Sequence, residues 1–456
     1  MTNLTDESDI AHADALHREG RFLDAVAAYR EILKSAPDHT GALHNLGVVL
    51  AQDGQPEEAL DLFDRAIGAR PDYAHAHANR GGALQSLGRL EDAEAAYGRA
   101  LTLQPDFYPI RLRRALILLA LGRRREALDQ FRGTCALRRD ENFMGREHAS
   151  FARTSRLKIA HDAAQFGYLS ARGIEPDRFA ALKDLYEEAL RDIEWPTDQT
   201  EAIDIPPPWR SRLAPSYNRP LHAAAAPELS GPAINPALAG AAIEAAYHDD
   251  APGIAVIDEL LTQDALGALQ GFLLDATIWH DFAHIGGFLA AYLEDGMACP
   301  LLLQIADELR RLLPGLLGPH PLQQAWAFKC VGGDKGIDAH ADSGALSGNF
   351  WITPDDANLG PGTGGLMVHR ATPPAEWRLA DYHGDMEEIR AFLAQNNDGT
   401  LTVPYAQNRV VLFRSDLFHE SGPVKFRPGY ENHRINITLL FGEQSGGKIF
   451  TPETKV

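Results

Sequence analysis

Apolar positions follow a helical period through the first 140 residues of the chain. Residues 40–53 and 56–69 carry apolar side chains three and four positions apart, which places them on one face of an α-helix. Gly54 stands between the two stretches, where the chain has to turn. The pattern therefore predicts pairs of amphipathic helices joined by glycine-containing turns.

The pattern repeats every 34 residues. The residues that recur at this spacing are Gly20, Gly54, Gly88 and Gly122; Ala25, Ala59, Ala93 and Ala127; and Tyr29, Phe63, Tyr97 and Phe131. A small residue also recurs in the first helix of each unit, as Ala13, Gly47, Gly81 and Ala115. Proline closes the first three units at positions 37, 71 and 105, because it cannot continue a helix.

These repeats resemble the tetratricopeptide repeat (TPR) over about residues 6–139. The resemblance implies an all-α solenoid of four repeats spanning residues 1–140. Arg139 stands where the fourth unit would carry proline, so we interpret this unit as a degenerate end. Residues 141–195 keep a helical pattern outside the 34-residue period, and we expect them to cap or extend the solenoid.

The remainder of the chain changes character twice. Residues 194–252 hold 10 of the 28 prolines, so we interpret residues 196–251 as an extended linker. From residue 252 to 456, helical segments come first, followed by short runs rich in β-branched and aromatic residues. This order predicts an α+β domain built around a β-sandwich or barrel.

Three residues of the β-rich region form a candidate metal site. His340 and Asp342 are two positions apart, so in an extended chain both side chains point to the same side. His419 follows the apolar strand at residues 409–413. Two histidines and one carboxylate leave open positions on an octahedral ion, as non-haem Fe(II) oxygenases require. Zn²⁺ also accepts such ligands but offers no redox step.

A second polar set lies on the last predicted strand. Alternation places Arg434, Asn436 and Thr438 on one face and the intervening isoleucines on the other. An inward-facing arginine is unusual in a plain core. It suits an anionic cosubstrate, because arginine binds a carboxylate through two hydrogen bonds and stays charged.

The ordered set of His340, Asp342, His419 and Arg434 resembles the Fe(II)/2-oxoglutarate-dependent oxygenases over residues 252–445. The resemblance implies a double-stranded β-helix (jelly-roll or cupin-like) core, with the first three residues binding iron. It also implies that Arg434 binds the distal carboxylate of 2-oxoglutarate. The residues expected to assist or gate the cosubstrate are Asn436, Thr438, Asn349, Trp351 and Lys329.

Two features separate this chain from branches of that family. The basic residue is Arg434 rather than lysine and lies 15 residues past His419, unlike the prolyl-hydroxylase pattern. The Arg-x-Asn-x-Thr strand is closer to the nucleic-acid demethylase branch. The alternative interpretation of the set is two ordinary loop histidines and a turn-forming aspartate.

Composition limits the partners. The formal net charge is −20, with 43 Lys and Arg against 63 Asp and Glu, which excludes a general nucleic-acid binder. Residues 1–139 contain 18 basic and 20 acidic residues, a net charge of −2, so residues 140–456 carry a net charge of about −18. This negative charge favours a positively charged substrate. No signal segment, membrane span or disulfide framework is visible, so we expect a cytoplasmic protein.

Asn45 and Asn79 occupy equivalent positions of successive repeats and resemble the asparagine ladder of superhelical TPR proteins, which implies that their amides bind a peptide backbone. The alternative is that they are ordinary polar residues of the concave face. The joint hypothesis is a hydroxylase whose repeats hold a protein or peptide substrate. The alternatives are an oxygenase for small molecules that uses its repeats for docking or oligomerisation, and a non-enzymatic adaptor with an inactive barrel.

Overall fold

The computed structural model describes residues 4–145, 148–249, 253–282, 287–332, 336–360, 362–371, 373–374, 377, 386–396 and 399–443. They form two compact units, of which the first reaches Thr134 and the second runs from Cys135 to the last described residue, Glu443. None of the helices in these ranges is long and apolar enough to cross a bilayer.

The first unit consists of paired helices, the last of which continues to Arg138. They are α1 (Leu4–Arg18), α2 (Phe22–Ser35), α3 (Thr40–Gln52), α4 (Pro56–Ala69), α5 (Ala74–Ser86), α6 (Leu90–Leu103), α7 (Tyr108–Ala120) and α8 (Arg124–Arg138). The turn glycine of each pair has a φ between 71° and 80°, in the left-handed region that favours glycine. The predicted helices 40–53 and 56–69 are therefore confirmed to within one residue.

The recurring small and aromatic residues pack together inside each helix pair. Tyr97 is fully buried, and a Cβ atom built on Gly81 would lie only 2.6 Å from its ring carbons. Gly47 stands in the same relation to Phe63, at 2.7 Å. The small residue of the first helix therefore makes room for the aromatic side chain of the second.

This packing predicts opposite effects for two glycine-to-alanine changes in the first unit. Gly81→Ala should lower the free energy of unfolding, because overpacking costs about 1–3 kcal/mol and outweighs the gain in helix propensity. Gly68→Ala should raise it by roughly 0.5–1 kcal/mol, because this exposed position of α4 has open space around it. Urea denaturation followed by helical circular dichroism measures both, and equal effects would contradict the packing account.

The second unit opens with helices and continues into a mixed region. Its helices are α9 (Glu141–Met144), α10 (Ala149–Ala152), α11 (Arg156–Ala171), α12 (Pro176–Asp192), α13 (Pro207–Leu213), α14 (Gly240–Asp249), α15 (Gln263–Asp275), α16 (Pro300–Leu312) and α17 (Met386–Gln395). The hydroxyl of Ser155 accepts a hydrogen bond from the N–H of Lys158 and caps α11.

The proline-rich stretch 196–251 differs from the expected linker. It contains α13 and α14, and Trp209, Leu213 and Tyr217 are buried in one apolar core with α11 and α12. Prolines 207 and 208 occupy the first turn of α13, where the missing N–H costs nothing. Burial of these large apolar side chains makes the stretch part of the second unit rather than a tether.

Small antiparallel sheets complete the second unit. The strands are β1 (Arg153–Thr154), β2 (Ile203–Asp204), β3 (Ile254–Ile257), β4 (Phe288–Tyr292), β5 (Leu322–Cys330), β6 (Leu346–Trp351), β7 (Leu366–His369), β8 (Thr400–Val403), β9 (Val410–Arg414), β10 (His419–Ser421) and β11 (Ile435–Phe441). A six-stranded sheet has the order β3-β9-β6-β11-β5-β4, and a three-stranded sheet has the order β10-β7-β8. Strands β1 and β2 form a separate pair.

An apolar core joins the two larger sheets. Trp351 and Val411 of the six-stranded sheet lie in one buried cluster with Leu366, Val368 and Val403 of the three-stranded sheet. The predicted combination of a helical N-terminal region and a C-terminal domain that contains β-sheets is thus confirmed. The register pairs Asn436 with Trp351 and Thr438 with Asn349, so these four side chains lie on the same sheet face as the core.

Candidate metal centre

Backbone hydrogen bonds bring the two segments with metal-ligating residues together. His340 and His419 face each other in an antiparallel bridge, in which the N–H of each donates to the carbonyl of the other at 3.1 and 2.8 Å. The N–H of Asp342 donates to the carbonyl of Ser415, at the end of β9, at 2.8 Å. The strand start at His419 and the end of β9 therefore fix the backbone on which the three side chains stand.

The three side chains converge. One ligand atom from each of His340, Asp342 and His419 lies within 4.8 Å of the other two. Nε2 of His419 is 3.7 Å from Oδ2 of Asp342, and the two imidazole centroids are 4.3 Å apart. The 3.7 Å separation matches the roughly 3–4 Å expected of two donors on one ion with bonds of about 2.1 Å, and the three residues together form a candidate site for a single metal ion.

Hydrogen bonds fix the chemical form of the histidines. Nδ1 of His340 is 2.8 Å from the carbonyl of Asp338, and Nδ1 of His419 is 3.1 Å from the carbonyl of Leu417. A carbonyl only accepts hydrogen bonds, so each Nδ1 carries the proton and each Nε2 presents its lone pair. This is the usual outer support of a metal-binding histidine.

The carboxylate of Asp342 is held by a pair of serines. Ser347 on β6 donates its hydroxyl hydrogen to Oδ2 of Asp342 at 2.8 Å. The hydroxyl oxygens of Ser347 and Ser415 are 2.9 Å apart, so Ser415 donates to Ser347. The relay makes Asp342 an acceptor and fixes its orientation. Two imidazole nitrogens and one carboxylate suit Fe(II) as well as other divalent transition metals.

Arg434 is buried without a counterion in the described part of the chain. It is 1 % exposed, its Nε donates to the carbonyl of Gly364 at 2.6 Å, and its Nη1 donates to Oδ1 of Asn436 at 2.9 Å. Burial lowers the pKa of Arg434 to about 10, which leaves it charged at neutral pH. A buried charge without a partner is costly, so this guanidinium is positioned to receive an anion.

The neighbouring sheet face offers further polar atoms. Nδ2 of Asn349 donates to the hydroxyl of Thr438 at 3.3 Å. Oδ1 of Asn349 and Nε1 of Trp351 are buried with no hydrogen-bond partner among the described residues. Unsatisfied buried polar groups are rare in folded proteins, so each marks a place for a ligand or an ordered water.

Lys329 lies elsewhere and does not belong to this set. The register pairs it with Ile435, which places it on the opposite sheet face from Asn436. It is fully buried, with its Nζ 3.6 Å from the ring centroid of Tyr430 and 3.5 Å from Nε2 of His161. Burial holds the pKa of Lys329 well below its usual range. This position contradicts the prediction that Lys329 contacts or gates the cosubstrate, because the sequence predicts the strand but not which of its faces meets the core.

The asparagines of the repeats belong to a hydrogen-bonded chain. Nδ2 of Asn79 lies 2.8 Å from Nε2 of His44, and Nδ1 of His44 lies 2.7 Å from Oδ1 of Asn45. Nδ2 of Asn45 then donates to Asp14 at 2.8 Å, and Tyr29 donates to the same carboxylate oxygen. The chain links three successive repeats and uses amide groups that a bound peptide would otherwise contact.

Comparison with known proteins bears on the N-terminal region. The sequence profile of the tetratricopeptide repeat matches residues 10–74 and 79–142. The N-terminal region carries tetratricopeptide repeats. This confirms the resemblance that the 34-residue period predicts. No curated protein matches the chain significantly.

Several solved structures are similar to part of the chain. MamA from Desulfovibrio magneticus RS-1 is 24% identical, with a TM-score of 0.27. The match covers 28% of this chain and 72% of the MamA chain. YrrB, described as a TPR protein with an unusual peptide-binding site, is 25% identical, with a TM-score of 0.26. The match covers 27% of this chain and 64% of the YrrB chain. A Thermobaculum terrenum O-GlcNAc transferase mutant is 29% identical, with a TM-score of 0.28; the match covers 30% of this chain and 28% of that one.

Neither serine of the relay is among the residues predicted from the sequence. Ser347 has the same strand parity as Asn349 and Trp351, so alternation along β6 held the signal for it. Ser415 contacts Ser347 across 68 positions, and nothing local distinguishes it from a turn serine.

The relay predicts that Ser347 supports metal binding. Ser347→Ala should weaken Mn²⁺ affinity about 10–100-fold, because a carboxylate ligand that loses its hydrogen-bond donor loses its orientation. Isothermal titration measures the affinity. Ser343→Ala, which alters an exposed serine next to Asp342, is the matched control and should leave the affinity unchanged. Equal affinities of Ser347→Ala and wild type would refute the role of the relay.

Proposed function

We propose that the second unit is an Fe(II)- and 2-oxoglutarate-dependent oxygenase that hydroxylates a protein or peptide substrate. The observation that carries this proposal is the pairing of a His340–Asp342–His419 cluster with Arg434, a buried cation that lacks a counterion among the described residues. In this proposal a metal ion held by the cluster would bind the keto acid end of a dicarboxylate, and Arg434 would bind the carboxylate at the other end.

The order of the strands supports a double-stranded β-helix. The six-stranded sheet contains β5, β11, β6 and β9 as consecutive neighbours. The other sheet contains β10, β7 and β8, and the bridge at His340 adds a segment beside β10. Along the chain, the backbone passes from β5 in the six-stranded sheet to the His340 segment in the other sheet and returns to β6. It then crosses to β7 and β8, returns to β9, crosses to β10 and returns to β11. Such crossing is typical of jelly rolls.

In this proposal the protein side chains bind and orient, and the metal carries the redox chemistry. Bound iron supplies the means to couple oxidative decarboxylation of 2-oxoglutarate by O₂, giving succinate and CO₂, to insertion of one oxygen atom into a substrate C–H bond. His340, Asp342 and His419 would hold the metal through Nε2, a carboxylate oxygen and Nε2. The two Nδ1 groups keep their protons and donate them in hydrogen bonds to the carbonyls of Asp338 and Leu417, which favours one ring orientation and one tautomer in each ligand.

Arg434 would bind the far carboxylate of the cosubstrate. Its Nε and Nη1 donate to Gly364 and Asn436, so Nη2 is the group that would donate to an incoming anion. Asn436 orients the guanidinium, and Trp351 lies beside it with its ring centroid 5.9 Å from the central carbon. Oδ1 of Asn349, Nε1 of Trp351 and the hydroxyl of Thr438 offer further polar contacts on the same face.

The repeats would bring the substrate or a partner to the enzyme. Stacked helical repeats present an extended concave surface that suits a protein or peptide. The acidity of residues 140–456 favours a substrate segment with positive charge and disfavours nucleic acid. The engagement of Asn45 and Asn79 with His44 and Asp14 favours the second candidate, a small-molecule oxygenase whose repeats dock a partner.

The enzyme proposal predicts succinate release that depends on the triad. Purified protein with Fe(II), 2-oxoglutarate and O₂ should release succinate, and His340→Ala should abolish it because a metal ligand is lost. His248→Ala, which removes an exposed histidine at the end of α14, should leave the rate unchanged. Succinate formation that survives in His340→Ala would rule out this assignment of the metal centre.

A further inference from the structure

Helix α17 packs against the segment that carries His340. Its Ile389 and Leu393 are buried in one apolar cluster with Ala339 and Ala341. Side chains alternate along an extended segment, so the two alanines point away from the side on which His340 stands. The helix therefore supports the back of this ligand-bearing segment, and the small alanines allow a close approach.

The same helix contacts the segment that carries His419. Phe418 directly precedes that ligand and is fully buried in the cluster. Its ring centroid lies 6.0 Å from that of Phe392 on α17. One helix face thus packs against both segments whose bridge assembles the metal centre.

A polar contact adds to the apolar one. Arg390 of α17 donates to Oδ1 of Asp338 at 2.7 Å. The backbone carbonyl of Asp338 is the group that accepts the Nδ1 hydrogen of His340, at 2.8 Å. Arg390 therefore anchors the residue that sets the orientation of the imidazole.

We infer that α17, in the connection between β7 and β8, is a positioning element for the metal centre. Arg390 acts through Asp338, and Ile389, Phe392 and Leu393 act through the alanines and Phe418. This inference rests on the metal site of the proposed function. If the docked helix favours the arrangement that binds metal, then metal binding favours the docked helix to the same degree, because coupling between two sites is reciprocal.

The first test measures Mn²⁺ affinity of the full chain by isothermal titration. Arg390→Gln should raise the Kd about two- to fivefold, which is the range that an exposed ion pair contributes. Arg390→Lys should recover part of the loss because it keeps the ion pair. Arg427→Gln, which removes the exposed pair with Asp356 elsewhere in the same unit, is the matched control and should leave the Kd unchanged.

The second test measures amide hydrogen exchange in residues 386–395 of the full chain. Saturation with Mn²⁺ should slow exchange there by roughly the factor by which docking favours metal binding, and should have no effect in His340→Ala. Exchange in α16 should not respond. A helix that only adds stability would change the thermal midpoint of Arg390→Gln but not the Mn²⁺ Kd.

The outcomes separate the two proposals. If wild type binds Mn²⁺ and both the Kd of Arg390→Gln and the exchange of α17 stay unchanged, the role of α17 is refuted and the metal centre stands. If wild type binds no Mn²⁺, the metal centre and the role of α17 are refuted together.

Discussion

Two backbone hydrogen bonds between His340 and His419 are the contact on which the candidate site depends. They join positions 79 apart in the sequence and place two imidazole rings on directly opposed residues. A slip of one residue in this pairing would turn one ring to the other face of the strand. Ser347, Ser415 and α17 support these two short segments, and β10 is in turn held by its antiparallel pairing with β7.

The sequence predicts many of the helices and strands, because their patterns are local, but it does not predict how distant segments pair. The 34-residue period locates the repeats because each helix pair is a local unit with its own turn glycine. Strands β9 and β11 follow from runs rich in β-branched residues, and β5 and β6 follow from short runs that contain two aromatic residues each. Strand β8, with the sequence TLTV, is only four residues long and is not among the predicted strands, although three of its residues are β-branched.

The wrong expectations share one physical cause. Lys329 was placed by its proximity in sequence to the candidate ligands, but side-chain direction depends on the register between β5 and β11. The proline content of residues 196–251 predicted a linker, yet Trp209 and Tyr217 bury enough apolar surface to hold the stretch in the core. Both outcomes depend on contacts between residues that are far apart in sequence, namely strand pairing for Lys329 and apolar packing for residues 196–251. The pattern of a single sequence does not predict such contacts.

Charge adds a constraint on the cosubstrate. The net charge of residues 140–456 is strongly negative and repels a dicarboxylate at long range. In the function we propose, 2-oxoglutarate would therefore be bound through short-range contacts, with the metal at one end and with Arg434 at the other. Within the repeats, by contrast, Arg114 and Arg123 are paired with Glu94, which leaves less free positive charge there than the arginine content indicates.

The most direct test of the central claim is the coupling between metal and cosubstrate. Calorimetric titration of 2-oxoglutarate into the full chain, with and without Mn²⁺ and without O₂, measures it. We expect Mn²⁺ to strengthen 2-oxoglutarate binding and 2-oxoglutarate to strengthen Mn²⁺ binding by the same factor. Arg434→Leu should lower the affinity for 2-oxoglutarate and leave the affinity for Mn²⁺ unchanged. Independent binding of the two ligands, or an unchanged 2-oxoglutarate affinity in Arg434→Leu, would contradict the central claim.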